Sequence, residues 1–167
     1  CFPKDVAALS SLASESLQMP LIGSISTSNR NRQQQLAVQL ISNSRSDKIS
    51  ILGLAFKANT DDVRDSPSYY IIQALIENGM KVTVYDPRAQ ETFKQFGLKV
   101  DYAPTAEDCL RDAESAVILT EWENFKNLDY SSLMPKGSVL FDFRNLLNSE
   151  DFKGGSIILR QLGHLYI

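Results

Sequence analysis

From Lys48 onward the chain alternates between short apolar runs and amphipathic stretches, and this alternation constrains the fold more than any other feature. Residues 49–54, Ile-Ser-Ile-Leu-Gly-Leu, form a run of the buried-strand type. Residues 66–78 read as a helix closed by Gly79. A second strand follows at 81–86 and is ended by Pro87, and a short helix at 90–96 precedes Gly97. The pattern continues with a strand at 98–102 and a helix at 105–111, capped by Thr105 with Asp108 at the capping-box position. Strands at 116–119, 138–142 and 156–159 complete it. Strands separated by helices of roughly ten residues require right-handed crossovers, so the expected class is α/β. The expected architecture is a Rossmann-like, doubly wound, mainly parallel sheet. No internal repeat or low-complexity segment interrupts it.

The first 45 residues read differently. Val6, Leu9, Leu12 and Ala13 recur at helical spacing after Asp5, a possible N-cap. Met19-Pro20 breaks this helix, and a second is expected over 22–43, with Leu36, Val38, Leu40 and Ile41 in its later half. Its early turns, 23–32, are polar all round, which suits a helix that depends on a partner. Residues 42–47 read as a linker. Residue 1 is Cys rather than Met, so the chain is expected to be a piece of a longer one.

Ligands of doubly wound sheets lie at the carboxyl ends of the strands. The loop after residue 54 carries Lys57 and Arg64, and the loop after residue 141 carries Arg144. Three cations at one rim of a chain with net charge -3 suit a phosphate-bearing ligand. The net charge argues against nucleic acid as a partner. No apolar run reaches membrane-spanning length. Two cysteines, Cys1 and Cys109, form no disulfide framework, and the single histidine, His164, makes a His-based metal site improbable. A cytoplasmic setting is expected.

Each group also has a plainer reading. Cys1 alone would be buried filler, but Lys4 beside it favours a thiolate and Asp5 can position water or a proton. Lys57 and Arg64 could be solvated partners of Asp61, Asp62 and Asp65. Arg144 could close its loop by pairing with Asp142. Glu121-Trp122 reads as packing and a helix start, His164 as structural, and Tyr69, Tyr70, Phe93 and Phe96 as core. Gly53-Leu54-Ala55 is not the GxGxxG of a dinucleotide turn, so a mononucleotide held by side chains fits this sheet better than complete NAD.

Six strings together resemble the UDP-glucose/GDP-mannose dehydrogenase family. They are CFPKD at 1–5, NRQ at 31–33, ILGLAFKANTDDVRDSP at 51–67, VYDPRA at 84–89, VILTEWENFKNLD at 117–129 and FDFRN at 141–145. They span almost the whole chain in family order. The resemblance implies an enzyme of three parts: an N-terminal NAD-binding Rossmann domain, a central helical region and a C-terminal Rossmann-like domain for the nucleotide of the sugar. This chain would supply the end of the helical region (1–45, beginning at the catalytic-Cys motif) and the UDP-binding domain (48–167). The implied reaction oxidises the C6 alcohol of a UDP-sugar, UDP-glucose to UDP-glucuronate, in two NAD-dependent steps, as part of polysaccharide biosynthesis.

By position, Cys1 is similar to the family nucleophile, which takes up the aldehyde as a thiohemiacetal that becomes a hydrolysable thioester. Asp5 resembles the carboxylate that assists water and proton transfer. Phe56, Lys57 and Arg144 resemble nucleotide-sugar contacts, and Lys4 and Arg64 resemble residues reaching NAD. Phe143 stands where the family usually has Gly, a bulk that could crowd the nucleotide or mark a changed pocket. The ending GHLYI also departs from the family's usual Gly-Arg-like terminus. The implied partners are a UDP-sugar, the N-terminal half of the same enzyme and, at full length, further copies in a homo-oligomer. Two alternatives stay open: a UDP-sugar-binding module without catalysis, and an assembly piece whose first 45 residues pair with another chain.

Overall fold

The computed structural model describes residues 5, 6, 8, 9, 11 and 20–163. Cys1, Lys4 and His164 lie outside them. Residues 5, 6, 8, 9 and 11 are helical, and Asp5 is exposed within that helix rather than capping it.

Helix α1 (Pro20–Asn43) begins at a proline, whose missing N–H costs no helical bond in the first turn. Its last turns bury Leu36, Ala37 and Leu40, the first two each one turn before Leu40 on the same face, and pack on α2 (Pro67–Glu77). The described side chains of its first half are almost all exposed. The helix ends where Ser44 N–H and Oγ both donate to Leu40 O, at 2.8 and 2.7 Å, and Asn43 Nδ2 donates to Gln39 O at 2.8 Å. These bonds satisfy carbonyls that the helix leaves open.

Six strands follow: β1 (Lys48–Leu52), β2 (Lys81–Tyr85), β3 (Asp101–Tyr102), β4 (Ser115–Ile118), β5 (Val139–Asp142) and β6 (Ile158–Gln161). Their spatial order is β3-β2-β1-β4-β5-β6, and every pairing is parallel. This is the doubly wound order, with β1 at its centre. β4 and β5 are buried at every position, as strands covered on both faces must be. The shorter helices are α3 (Gln90–Lys94), α4 (Ala106–Leu110), α5 (Glu123–Lys126) and α6 (Tyr130–Leu133), with a 3-10 turn at Ser149–Phe152.

The register positions everything that follows. Leu52 lies beside Tyr85 and Ile118, Ile118 beside Asp142, and Asp142 beside Gln161. The carboxyl ends of five strands therefore form one level rim.

The differences from the sequence reading are local. β1 stops at Leu52 instead of 54, because Gly53 adopts φ +100 and turns the next two amides out of the ladder. The third strand shrinks to two residues at the sheet edge. The last strand lies two residues later than its apolar pattern suggested, because buried Gln161 is held by Asp142. The helix start read at Glu121-Trp122 is that of α5, capped at Trp122, whereas α6 was unanticipated; at four residues it is too short to show a helical period.

Candidate nucleotide-binding rim

Connections leave β1 and β4 in opposite directions, so their carboxyl ends form the topological switch point of the sheet, where folds of this class take their ligands. The chain leaves β1 there through the Gly53 turn. A Cβ on Gly53 would stand 2.5 Å from Thr120 Cβ and 2.6 Å from Thr120 N. Thr120 Oγ1 donates to Ala55 O at 2.7 Å, so the glycine makes room for the chain leaving β4.

Asp86, just past β2, ties the rim together and is 2% exposed. Its Oδ2 accepts Leu54 N–H at 2.8 Å, Ala55 N–H at 3.1 Å and the Trp122 indole N–H at 3.0 Å. Its Oδ1 accepts Arg88 N–H at 2.9 Å and Ala89 N–H at 2.8 Å. This bears on NAD. A dinucleotide site of this fold presents the amides of the first turn to a pyrophosphate, and an acidic group after the second strand to a ribose. Here the turn amides and the acid are bonded to each other. The next helix begins only at Pro67, where Ser66 Oγ already accepts Ser68 N–H at 3.3 Å. The turn after β1 and Asp86 therefore lack the free amides and free acid of a dinucleotide site.

The loop from Phe56 to Asp62 is closed by Phe56 N–H donating to Asp62 O at 2.8 Å. Asn59 turns it with φ 65, and buried Val63 anchors it. The Phe56 ring is 38% exposed, and Lys57 beside it is exposed with no ion-pair partner among the described residues. Arg64 is paired within its own loop. Its Nε and Nη2 donate to Asp62 Oδ1 and Oδ2 at 2.9 and 2.7 Å, and its backbone N–H donates to Oδ1 at 3.0 Å. The side-chain and then the backbone bonds from Arg64 hold the Asp62 carboxyl far below the ordinary carboxylate range.

Arg144 does not pair with Asp142 through its side chain. Asp142, fully buried, instead accepts Arg144 N–H at 3.1 Å, Leu147 N–H at 2.9 Å and Gln161 Nε2 at 2.9 Å, which fixes the loop after β5. The guanidinium reaches Glu121, past the end of β4, with Nε at 2.6 Å and Nη2 at 2.5 Å from Oε2. Phe143 N–H donates to Ile118 O at 3.2 Å. The Phe143 ring meets Phe141 edge-on at 6.1 Å between centroids, so its bulk is used against the core.

The other cysteine is not part of the rim. Cys109 is 2% exposed, its Sγ lies 3.7 Å from Ile51 O and Thr83 O, and burial pushes its thiol up to about 12. A cavity of about 520 Å³ beside Tyr130 and Phe152 is lined by none of Phe56, Lys57 and Arg144. Among the described residues no cluster of His, Cys, Asp and Glu could hold a metal ion, and no helix is long and apolar enough to cross a membrane.

Residues 50–149 match the model of the UDP-glucose/GDP-mannose dehydrogenase family, UDP binding domain. The chain belongs to this family. It is 35% identical over 158 residues to the UDP-glucose 6-dehydrogenase of Rhizobium meliloti, covering 90% of this chain and 36% of that protein. It is 34% identical over 170 residues to UDP-glucose 6-dehydrogenase TuaD of Bacillus subtilis, covering 98% and 37%. The chain thus spans little more than a third of these relatives. Among solved structures, a UDP-glucose dehydrogenase from Pyrobaculum islandicum superposes with TM-score 0.68 at 32% identity, over 85% of this chain and 33% of that one. A GDP-mannose dehydrogenase from Pseudomonas aeruginosa gives 0.72 at 29%, over 89% and 35%.

Within this UDP-glucose/GDP-mannose dehydrogenase domain, the fold brings Phe56, Lys57 and Arg144 to one rim and sets Arg64 into a local ion pair. Asp5 is exposed among the helical residues 5, 6, 8, 9 and 11. The sequence reading missed Asp86, Thr120 and the pairing of Glu121. The Asp86-Pro87 step at the end of β2 was the one available signal, because an acid there faces the preceding turn whenever β2 neighbours β1.

Proposed function

We propose that this chain is the UDP-binding, C-terminal part of an NAD-dependent UDP-glucose 6-dehydrogenase, which oxidises UDP-glucose to UDP-glucuronate. The observation that carries the reading is the rim itself. Lys57, without an ion-pair partner among the described residues, and Arg144, fixed by the Asp142 loop, extend from the carboxyl ends of β1 and β5 in a domain that matches a UDP-binding family model. Each charge-assisted contact to a diphosphate is worth about 1.5–3 kcal/mol. Phe56 offers an exposed aromatic face beside Lys57 for the uridine or sugar.

In this reading residues 48–167 hold the nucleotide, and residues 1–45 end a central helical region. Cys1 is the nucleophile toward the C6 carbonyl, Lys4 favours its thiolate, and Asp5 supplies the carboxylate for water and proton handling. NAD, the hydride acceptor, belongs to an N-terminal half of the same protein, with Lys4 and Arg64 facing it. The curated relatives are nearly three times the length of the matched region, which supports this division. The complete protein would work as a homo-oligomer in the cytoplasm.

Calorimetric titration of the chain with UDP, UDP-glucose and GDP tests the reading. UDP and UDP-glucose should bind saturably, with GDP weaker. No NADH should form when NAD and UDP-glucose are both supplied. Absence of saturable UDP binding at millimolar concentration, or steady NADH formation by the chain alone, would overturn it.

A further inference from the structure

Arg144 is unusual among the rim cations in where its side chain is held. Arg64 pairs with a residue two positions away in its own loop. Arg144 pairs with Glu121, on the loop of the neighbouring strand. Both backbones at this pair are fixed. Arg144 N–H donates to Asp142 Oδ1, and the next residue, Asn145, turns with φ 51 and donates from Nδ2 to Leu162 O at 3.2 Å. Glu121 stands between Thr120, bonded to Ala55, and Trp122, bonded to Asp86. The two side chains are comparably exposed, 37% for Arg144 and 35% for Glu121, and neither is a free surface group.

The geometry of the contact is one-sided. Arg144 Nε and Nη2 both address a single oxygen, Glu121 Oε2. That uses one edge of the guanidinium and leaves Nη1 and the remaining Nη2 hydrogen on the other edge. No described residue accepts from Nη1. A guanidinium held by one edge presents its opposite edge as a two-pronged donor for phosphate oxygens.

We propose that Glu121 is a positioning residue: it orients Arg144 so that the free edge of the guanidinium meets the diphosphate of the nucleotide. This rests on the nucleotide-binding reading above. As an ion pair the contact contributes little to stability, since both groups are partly solvated. Its effect lies in binding. A long side chain fixed in one orientation before the ligand arrives loses less freedom on binding. Glu121 also partly neutralises Arg144, so its removal should weaken binding only if orientation outweighs the lost repulsion between carboxylate and phosphate.

The test measures UDP and uridine affinity for the wild-type chain, Glu121→Ala, Glu121→Gln, Arg144→Ala and the Glu121→Ala/Arg144→Ala double variant, each checked for an unchanged unfolding temperature. Expected is a loss of about tenfold in UDP affinity for Glu121→Ala, with partial recovery in Glu121→Gln, whose amide oxygen still accepts. Uridine affinity should not change, and Glu121→Ala should add no further loss once Arg144 is alanine. Equal or tighter UDP binding by Glu121→Ala overturns the proposal, as does a penalty that persists without Arg144. A second readout needs no ligand. The Arg144 Nε–H resonance in the free chain should exchange slowly with water and should broaden or vanish in Glu121→Ala; an unchanged resonance overturns the proposal. If the wild-type chain binds no UDP while that resonance behaves as expected, the nucleotide reading fails and the orienting contact stands.

Discussion

The Trp122 indole N–H donates to Asp86 Oδ2 at 3.0 Å, joining the chain just past β4 to the chain just past β2 across the top of β1. The same oxygen holds the Leu54 and Ala55 amides. One buried carboxylate thus fixes three loops of the rim, in the place where a dinucleotide fold would accept its ligand.

Asp86→Asn is therefore expected to destabilise the chain strongly. Both carboxylate oxygens receive only donors, so an amide NH2 in either position faces N–H groups and leaves them unsatisfied. With about 1–3 kcal/mol for each orphaned group, a loss near 3 kcal/mol and a fall in Tm of roughly 6–12 °C are expected. A thermal melt within about 2 °C of wild type would contradict the hub.

Gly53→Ala should be nearly as damaging. The new methyl would sit 2.5 Å from Thr120 Cβ and 2.6 Å from a backbone nitrogen, at φ +100, which L residues rarely adopt. Strain and overlap together should cost at least about 2 kcal/mol. Shortening Thr120 as well should recover only part of this, because the backbone contact remains. Urea unfolding of the single and double variants measures both quantities.

Cys109 should be inert in the folded chain. With its thiol pushed to about 12, the thiolate fraction at pH 8 is on the order of one in ten thousand. Iodoacetamide should label it at a rate set by unfolding, and mass spectrometry after a timed quench reads this directly. Its folded value lies above the ordinary 9.0, so the unfolded chain releases the proton first. The stability it contributes is complete below about pH 9 and falls, by up to about 1.4 kcal/mol per pH unit, as pH rises toward 12. Cys109→Ala should flatten this alkaline loss. An unchanged slope would show that the thiol is not buried as described.

Lys57 and Arg64 should separate in a UDP titration. Lys57→Ala removes an exposed cation at the rim and should weaken binding about tenfold or more, with a milder effect at high salt. Arg64 is already engaged by Asp62 at 2.7 Å, and Arg64→Ala should leave UDP affinity nearly unchanged. The reverse pattern would move the nucleotide to the other side of the loop.

The sequence by itself determined the class of fold and the level of the rim. Periodicity is local, and a run such as residues 49–52 or 139–142 can be buried on both faces only in a sheet covered by helices. It also placed Lys57, Arg64 and Arg144 on strand-end loops, because loop position follows once the strands are known. Tertiary structure alone decided how these cations are paired. Arg64 finds its partner two residues away, whereas Arg144 finds Glu121 at a distance of 23 residues through the β4–β5 register. Asp86 likewise gained its role only from the strand order. Its donors come from the turn after β1, the start of α3 and the chain after β4, which adjoin only because β1 lies between β2 and β4. Hydrogen bonds between distant loops leave no period in the chain, so the fold must form before they can be seen.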